Sequence, residues 1–134
     1  LGLCSIYLLQ IISNKYINYK YETTQKIILV QSDLFSNVEY VDLEYLISDE
    51  KISTLFNNGD KFDTSFKIAL FYSDLSIIIL KRSRNEKPLR KYVSELMMKS
   101  IGKWDDLVAK DHSMLFFKNY YLKIYSETAK TITN

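Results

Sequence analysis

Breakers of regular structure are scarce in this chain: 134 residues contain three glycines (Gly2, Gly59, Gly102) and one proline, Pro88. Segments between turns must therefore be long and regular, and the abundance of Tyr, Phe, Ile and Leu favours strands as much as helices. The length fits one domain, residues 1–134, able to bury a core without metal or disulfide staples. With 47% hydrophobic and 25% charged residues, the disordered and collagen-like classes drop out. Eleven tyrosines beside frequent Asn, Lys and Ile also carry the mark of an AT-rich coding bias, which lowers the weight of any single Tyr.

The net charge of +2 hides an asymmetry. Residues 1–79 hold six Lys against ten Asp/Glu, and residues 80–134 hold twelve Lys/Arg against six. A basic second half suits phosphates, an acidic protein surface or plain solvation of a helix face. No basic run is interleaved with aromatics in the manner of a nucleic-acid site.

Local patterns point to a mixed, mainly β (α+β) chain. Ile6 to Ser13 is a short apolar run that fits a buried strand, followed by a polar, Tyr-rich connection from Asn14 to Thr24. Lys26 to Gln31 reads as a second strand. Ser32-Asp33 suits a helical cap, and Phe35 to Ile47 reads as helix. Asn57-Asn58-Gly59-Asp60 is the clearest turn. Beyond it, Phe66–Tyr72 and Ser76–Lys81 read as two strands. One long helix from Thr64 to Lys81 is the alternative, opposed by the β-branched triplet Ile77-Ile78-Ile79. A helix is expected over 88–101, with Pro88 at its start, Gly102 just past its end, and Leu89, Tyr92, Val93, Leu96 and Met97 on one face. Met114 to Tyr125 reads as a closing strand.

Catalytic constellations are missing. His112 is the sole histidine and Cys4 the sole cysteine, so multi-His sites, Cys-based zinc sites and an internal disulfide are excluded. Asp105-Asp106, Asp111 and Asp49-Glu50 read as solvated carboxylates, and three separated glycines cannot build a phosphate-cradling loop. The expectation is a protein that is not an enzyme, without metal, cofactor or small-molecule substrate.

The opening Leu1-Gly2-Leu3-Cys4 resembles the end of a bacterial lipoprotein signal, with Cys4 as the acylated residue, although Leu3 stands where a small residue is usual. The alternative is a small Cys buried in an apolar first strand. No apolar run reaches the length of a membrane span.

From Cys4 onward the order of motifs resembles the TssJ family, outer-membrane lipoproteins of the type VI secretion membrane complex. The resemblance rests on Cys4, the run Ile6 to Ser13, Ile17-Asn18, the run closing on Gln31, and Phe35 with Val38-Glu39-Tyr40 and Leu43. Phe71-Tyr72-Ser73-Asp74-Leu75 is similar to a later segment, with Ser73 where Arg is usual. It covers about the first 75 residues; residues 76–134 depart from the pattern. The resemblance implies a transthyretin-like β-sandwich with helical insertions. It also implies a lipid anchor at Cys4 that holds the domain on the periplasmic face of the outer membrane. The loop carrying Tyr16, Ile17, Asn18, Tyr19 and Tyr21 would grip the periplasmic part of an inner-membrane secretion subunit. Two other classes compete with it. One is a soluble intracellular, helical interaction protein of virulence or apoptosis type from an AT-rich virus. The other is a nucleic-acid-binding module using Lys81-Arg82, Arg84, Lys87, Arg90 and Lys91.

Overall fold

The computed structural model describes residues 2–36, 45, 47–56 and 59–133, with side chains from residue 14 onward except 32–36 and 133. The regular structure among these residues is all helical. The five helices are α1 (Gly2–Ser36), α2 (Asp49–Leu55), α3 (Lys61–Arg82), α4 (Arg90–Lys110) and α5 (Leu115–Thr133). Short 3-10 turns, Lys87–Leu89 and His112–Met114, introduce the last two.

The β-sandwich expectation is therefore corrected: no strand is found among the described residues. Residues 6–13 and 26–31 both belong to α1. A strand would bury every second side chain of 26–31, whereas Ile27 and Val30 are buried and Ile28 and Leu29 exposed, the i, i+3 spacing of a helix. The two strands expected over 66–72 and 76–81 are one helix, α3. Ile77-Ile78-Ile79 costs only a few tenths of a kcal/mol per residue in helix propensity, roughly, and burial of the surrounding side chains outweighs it. The segment Met114–Tyr125 likewise lies in a 3-10 turn and α5. The helix expected over 88–101 is present but continues to Lys110 through Gly102. Its buried residues Leu96, Ser100, Trp104 and Leu107 keep one face inward across the glycine, and this packing exceeds the ~1 kcal/mol that glycine costs in a helix. Of the stretch 35–47, residues 37–44 and 46 lie outside the described residues.

The turn before α3 forms as its sequence indicates. Gly59 takes φ 106°, a region natural to glycine, and Asp60 caps α3 by accepting from the Asp63 N–H at 2.7 Å. Ser48 caps α2 through the Lys51 N–H at 3.2 Å.

The central helix is α3, whose residues 66 to 73 are buried without interruption. It joins two halves of the core. One half packs Phe71, Leu75 and Ile79 of α3 with Ile27 and Val30 of α1, Ile52 of α2 and Leu96 of α4. The other packs Phe66 and Leu70 with Trp104 and Leu107 of α4 and Phe117, Tyr121 and Tyr125 of α5. Trp104 stacks on Phe117 and Tyr121 at 5.6 and 5.9 Å between ring centres. Among the described residues Thr23 Oγ1 is buried without a hydrogen-bond partner, whereas the serine hydroxyls inside this core are paired. Ser73 Oγ donates to Ala69 O at 2.7 Å and accepts from Trp104 Nε1 at 2.8 Å, and Ser100 Oγ meets Tyr125 OH at 2.8 Å. The contacts also set direction. Tyr16 and Lys20 of α1 meet Phe117 and Tyr121 of α5 in ascending order, so these two helices run parallel.

Candidate interaction surface

The stretch Asn14 to Thr24, expected as a loop, is the middle of a continuous helix. Its candidate partner-binding residues separate accordingly. Tyr16 is half-buried with its ring 5.0 Å from that of Phe117. Tyr19 is half-buried edge-on to Phe66 at 5.4 Å, with the Lys67 ammonium 5.3 Å from its ring centre. Burial pushes both phenols above their ordinary value. Both rings serve the core. Ile17 and Tyr21, in contrast, are 60% and 69% exposed, and Asn18 is exposed on another side of the helix. Cys4 lies near the start of α1, and its side chain is outside the described residues.

Two aromatic residues of α5 complete the picture, both hidden from a strand reading of 114–125. Phe116 is 70% exposed and Tyr120 47%. Their rings stack on each other at 6.5 Å, and Phe116 meets the buried Phe117 edge-on at 5.4 Å. The helical spacing explains their place. Ile17 and Tyr21 follow the inward-facing Tyr16 and Lys20 by one residue, a rotation of about +100°. Phe116 and Tyr120 precede the inward-facing Phe117 and Tyr121 by one, a rotation of about −100°. In parallel helices whose inward faces converge, these opposite rotations point to the same side. The two exposed pairs thus lie on one side of the bundle.

Below this surface lies a buried polar cluster. Lys20 pairs with Asp74 Oδ2 and donates to Tyr121 OH at 2.9 Å, and Tyr121 OH donates to Asp74 Oδ1 at 3.0 Å. Burial pushes the Asp74 carboxyl up, against the opposing influence of Lys20 and Tyr121. The same burial raises the Tyr121 phenol. Thr24, Ile27, Ile28 and Gln31 of α1 and Ile77 and Ile78 of α3 join Lys20 and Asp74 around a shallow cavity of about 300 Å³. One helix each from three regions of the chain contributes to the triad, so its role is to pin α1 to α3 and α5. Shifted titration of this kind marks functional sites as well as structural networks. The Tyr16 phenol also hydrogen-bonds to Tyr121 and extends this network along α1.

Three of the carboxylates noted in the sequence, Asp49, Asp105 and Asp111, have structural partners. Asp105 pairs with Lys118 at 2.6 Å, and Asp111 accepts from the Ser113 N–H and hydroxyl at 3.0 and 2.7 Å. Asp49 lies in the first turn of α2 and accepts from Tyr72 OH at 2.7 Å, which holds its carboxyl below the ordinary value. His112 is exposed in a 3-10 turn. Among the described residues no group of three or more His, Cys, Asp or Glu is clustered as metal ligands, and no helix is long and apolar enough to cross a membrane. No protein-family model, curated protein or solved structure matches this chain, so its site is read from geometry alone.

Proposed function

We propose that this chain is a non-catalytic, helical protein-interaction domain that docks through the outward face of α1 and α5. One observation carries the reading: Ile17, Tyr21, Phe116 and Tyr120 are large apolar side chains exposed on the same side of two parallel helices. Four such side chains offer on the order of 500 Å², near the top of what monomers leave uncovered. That is a large part of the roughly 800 Å² each partner contributes to a stable interface. Tyr and Phe are also the residue types enriched at interface centres.

A TssJ-type role places its partner contacts on a loop between two strands. With residues 14–24 inside α1, the contacts available to a partner are those of a helix face. The reading adopted is the helical interaction protein, with no commitment to an envelope location.

Site-specific photocrosslinking tests it. A benzoylphenylalanine placed at Tyr21 or Phe116 should give a discrete protein adduct in lysate of the source cells, a second copy of the chain included. Phe116→Ser combined with Tyr120→Ser should abolish that adduct without changing the melting temperature by more than a few degrees. A probe at Met98, 70% exposed on α4, is the control. Adducts from Met98 but not from Tyr21 or Phe116 would move the interface elsewhere.

A further inference from the structure

The end of the bundle where α3 stops and α4 begins carries a second concave surface. Leu80, Val93 and Ile132, one from each of three helices, wall a cavity of about 460 Å³, and Ser83 and Arg90 complete its lining. Arg90 Nε donates to Ser83 O at 3.2 Å, a contact that fixes the guanidinium at the cavity while using one of its five N–H donors.

The charge around this cavity is one-sided. Lys81, Arg82, Arg84, Lys87, Arg90 and Lys91 are all exposed, and Glu86, paired with Arg82 at 2.7 Å, is the only acid between residues 80 and 92. Lys81 and Arg82 complement the carbonyl end of α3. Arg90 and Lys91 do the reverse. They sit in the first turn of α4, and Lys87 lies just before it, where the helix dipole favours anions; that turn has no acidic residue and no side-chain cap. The helix dipole therefore does not account for these three cations; Arg90 anchors Ser83 and the Lys91 ammonium lies 4.9 Å from the Tyr92 ring centre, and an anionic ligand would complement all three charges.

We infer that this end of the molecule binds an acidic amphipathic segment of a partner protein. One apolar side chain of the segment fills the cavity between Leu80, Val93 and Ile132, and flanking carboxylates meet Arg90, Lys87 and Arg84. Arginine suits this role because its planar fork accepts a carboxylate through two parallel hydrogen bonds. Nucleic acid fits less well: phosphates would meet the cations but leave the apolar cavity unfilled, and Tyr92, the aromatic side chain in this stretch, is buried rather than offered for base stacking. A bilayer surface is met by apolar side chains that project outward, whereas these line a recess.

The test uses two pools of fluorescein-labelled peptides of about twelve residues. In the first a central Leu or Phe is flanked by Asp and Glu; in the second the acids are replaced by Asn and Gln. Anisotropy titrations should show the acidic pool binding at least about tenfold more tightly, with the advantage shrinking at high salt. Amide resonance shifts should map to residues 80–93 and to Ile132. Lys87→Gln with Arg90→Gln should lower affinity about tenfold, and Arg84→Gln with Lys87→Gln, which leaves the Ser83 contact intact, should also weaken binding. Equal binding of the two pools, binding of neither, or shifts confined to another face would overturn the proposal. So would tighter binding to phosphatidylserine vesicles or to a DNA duplex than to the acidic peptides. The α1–α5 surface is untouched by these variants, so its crosslinks report separately.

Discussion

Helices α3 and α5 are both rich in apolar residues, yet they dispose them differently. In α3 the buried positions run through every residue from Phe66 to Ser73, because helices pack around it on several sides. In α5 the buried positions Phe117, Tyr121, Tyr125 and Thr128 form one row, and Phe116 and Tyr120 form another that the described residues leave largely exposed. All-round apolarity marks a helix at the centre of a bundle. Two separate apolar rows mark a helix with an inward task and an outward one.

Substitution at matched phenylalanines gives the sharpest contrast. Phe71→Ala in α3 should cost about 3–5 kcal/mol through loss of a fully buried ring. Phe116→Ala should stay within about 0.5 kcal/mol. Urea unfolding measures both, and similar losses would mean that the two helices do not differ as described.

An intermediate effect is expected where α1 meets the other helices. Tyr16→Ala with Tyr19→Ala removes two half-buried rings that pack on Phe117 and Phe66, at a cost of about 1–3 kcal/mol. Native-state hydrogen exchange should show the loss first in α1. A doubly substituted protein with wild-type stability would instead assign both tyrosines to the outward surface.

The smallest effect concerns Asp74, where α1, α3 and α5 join. Its carboxyl is raised chiefly by burial, so the folded chain holds this proton more tightly than the unfolded chain does. The stabilising contribution is then complete below the unfolded value of about 3.9 and is lost as pH rises through the folded one. Measured against Asp74→Asn, the wild type should gain stability as pH falls from neutrality toward that value. A loss over the same range would show that the Lys20 pair, not burial, dominates the site.

How legible was this arrangement in the sequence? The start of the helix near Pro88 and the turn at Gly59-Asp60 are both local facts, decided by ring geometry and positive φ, and they are present in the structure. The identity of α3 was not legible. A helix covered on several sides shows no polar stripe, so its period is masked and the Ile77-Ile78-Ile79 triplet reads as strand. In α5, the pairs Phe116/Tyr120 and Phe117/Tyr121, each four residues apart, did carry the helical signal. Overlaid, the two rows gave Leu115, Phe117, Leu122 and Ile124 the look of alternation. The Lys20–Asp74–Tyr121 cluster had no signal at all, since its members come together only when three distant segments pack.

That long separation also shapes how the chain comes to be made. Helix α1 leaves the ribosome early, but the hydroxyl that its Lys20 contacts lies 101 residues further along. At about 5–20 residues per second, α1 waits roughly 5 to 20 s for that partner. Through this interval both of its apolar sides are bare, the one destined for the core and the one left outside. The chain is thus most open to wrong association during synthesis, and Ile17 and Tyr21, which stay exposed in the folded chain, are among the residues that add to the hazard.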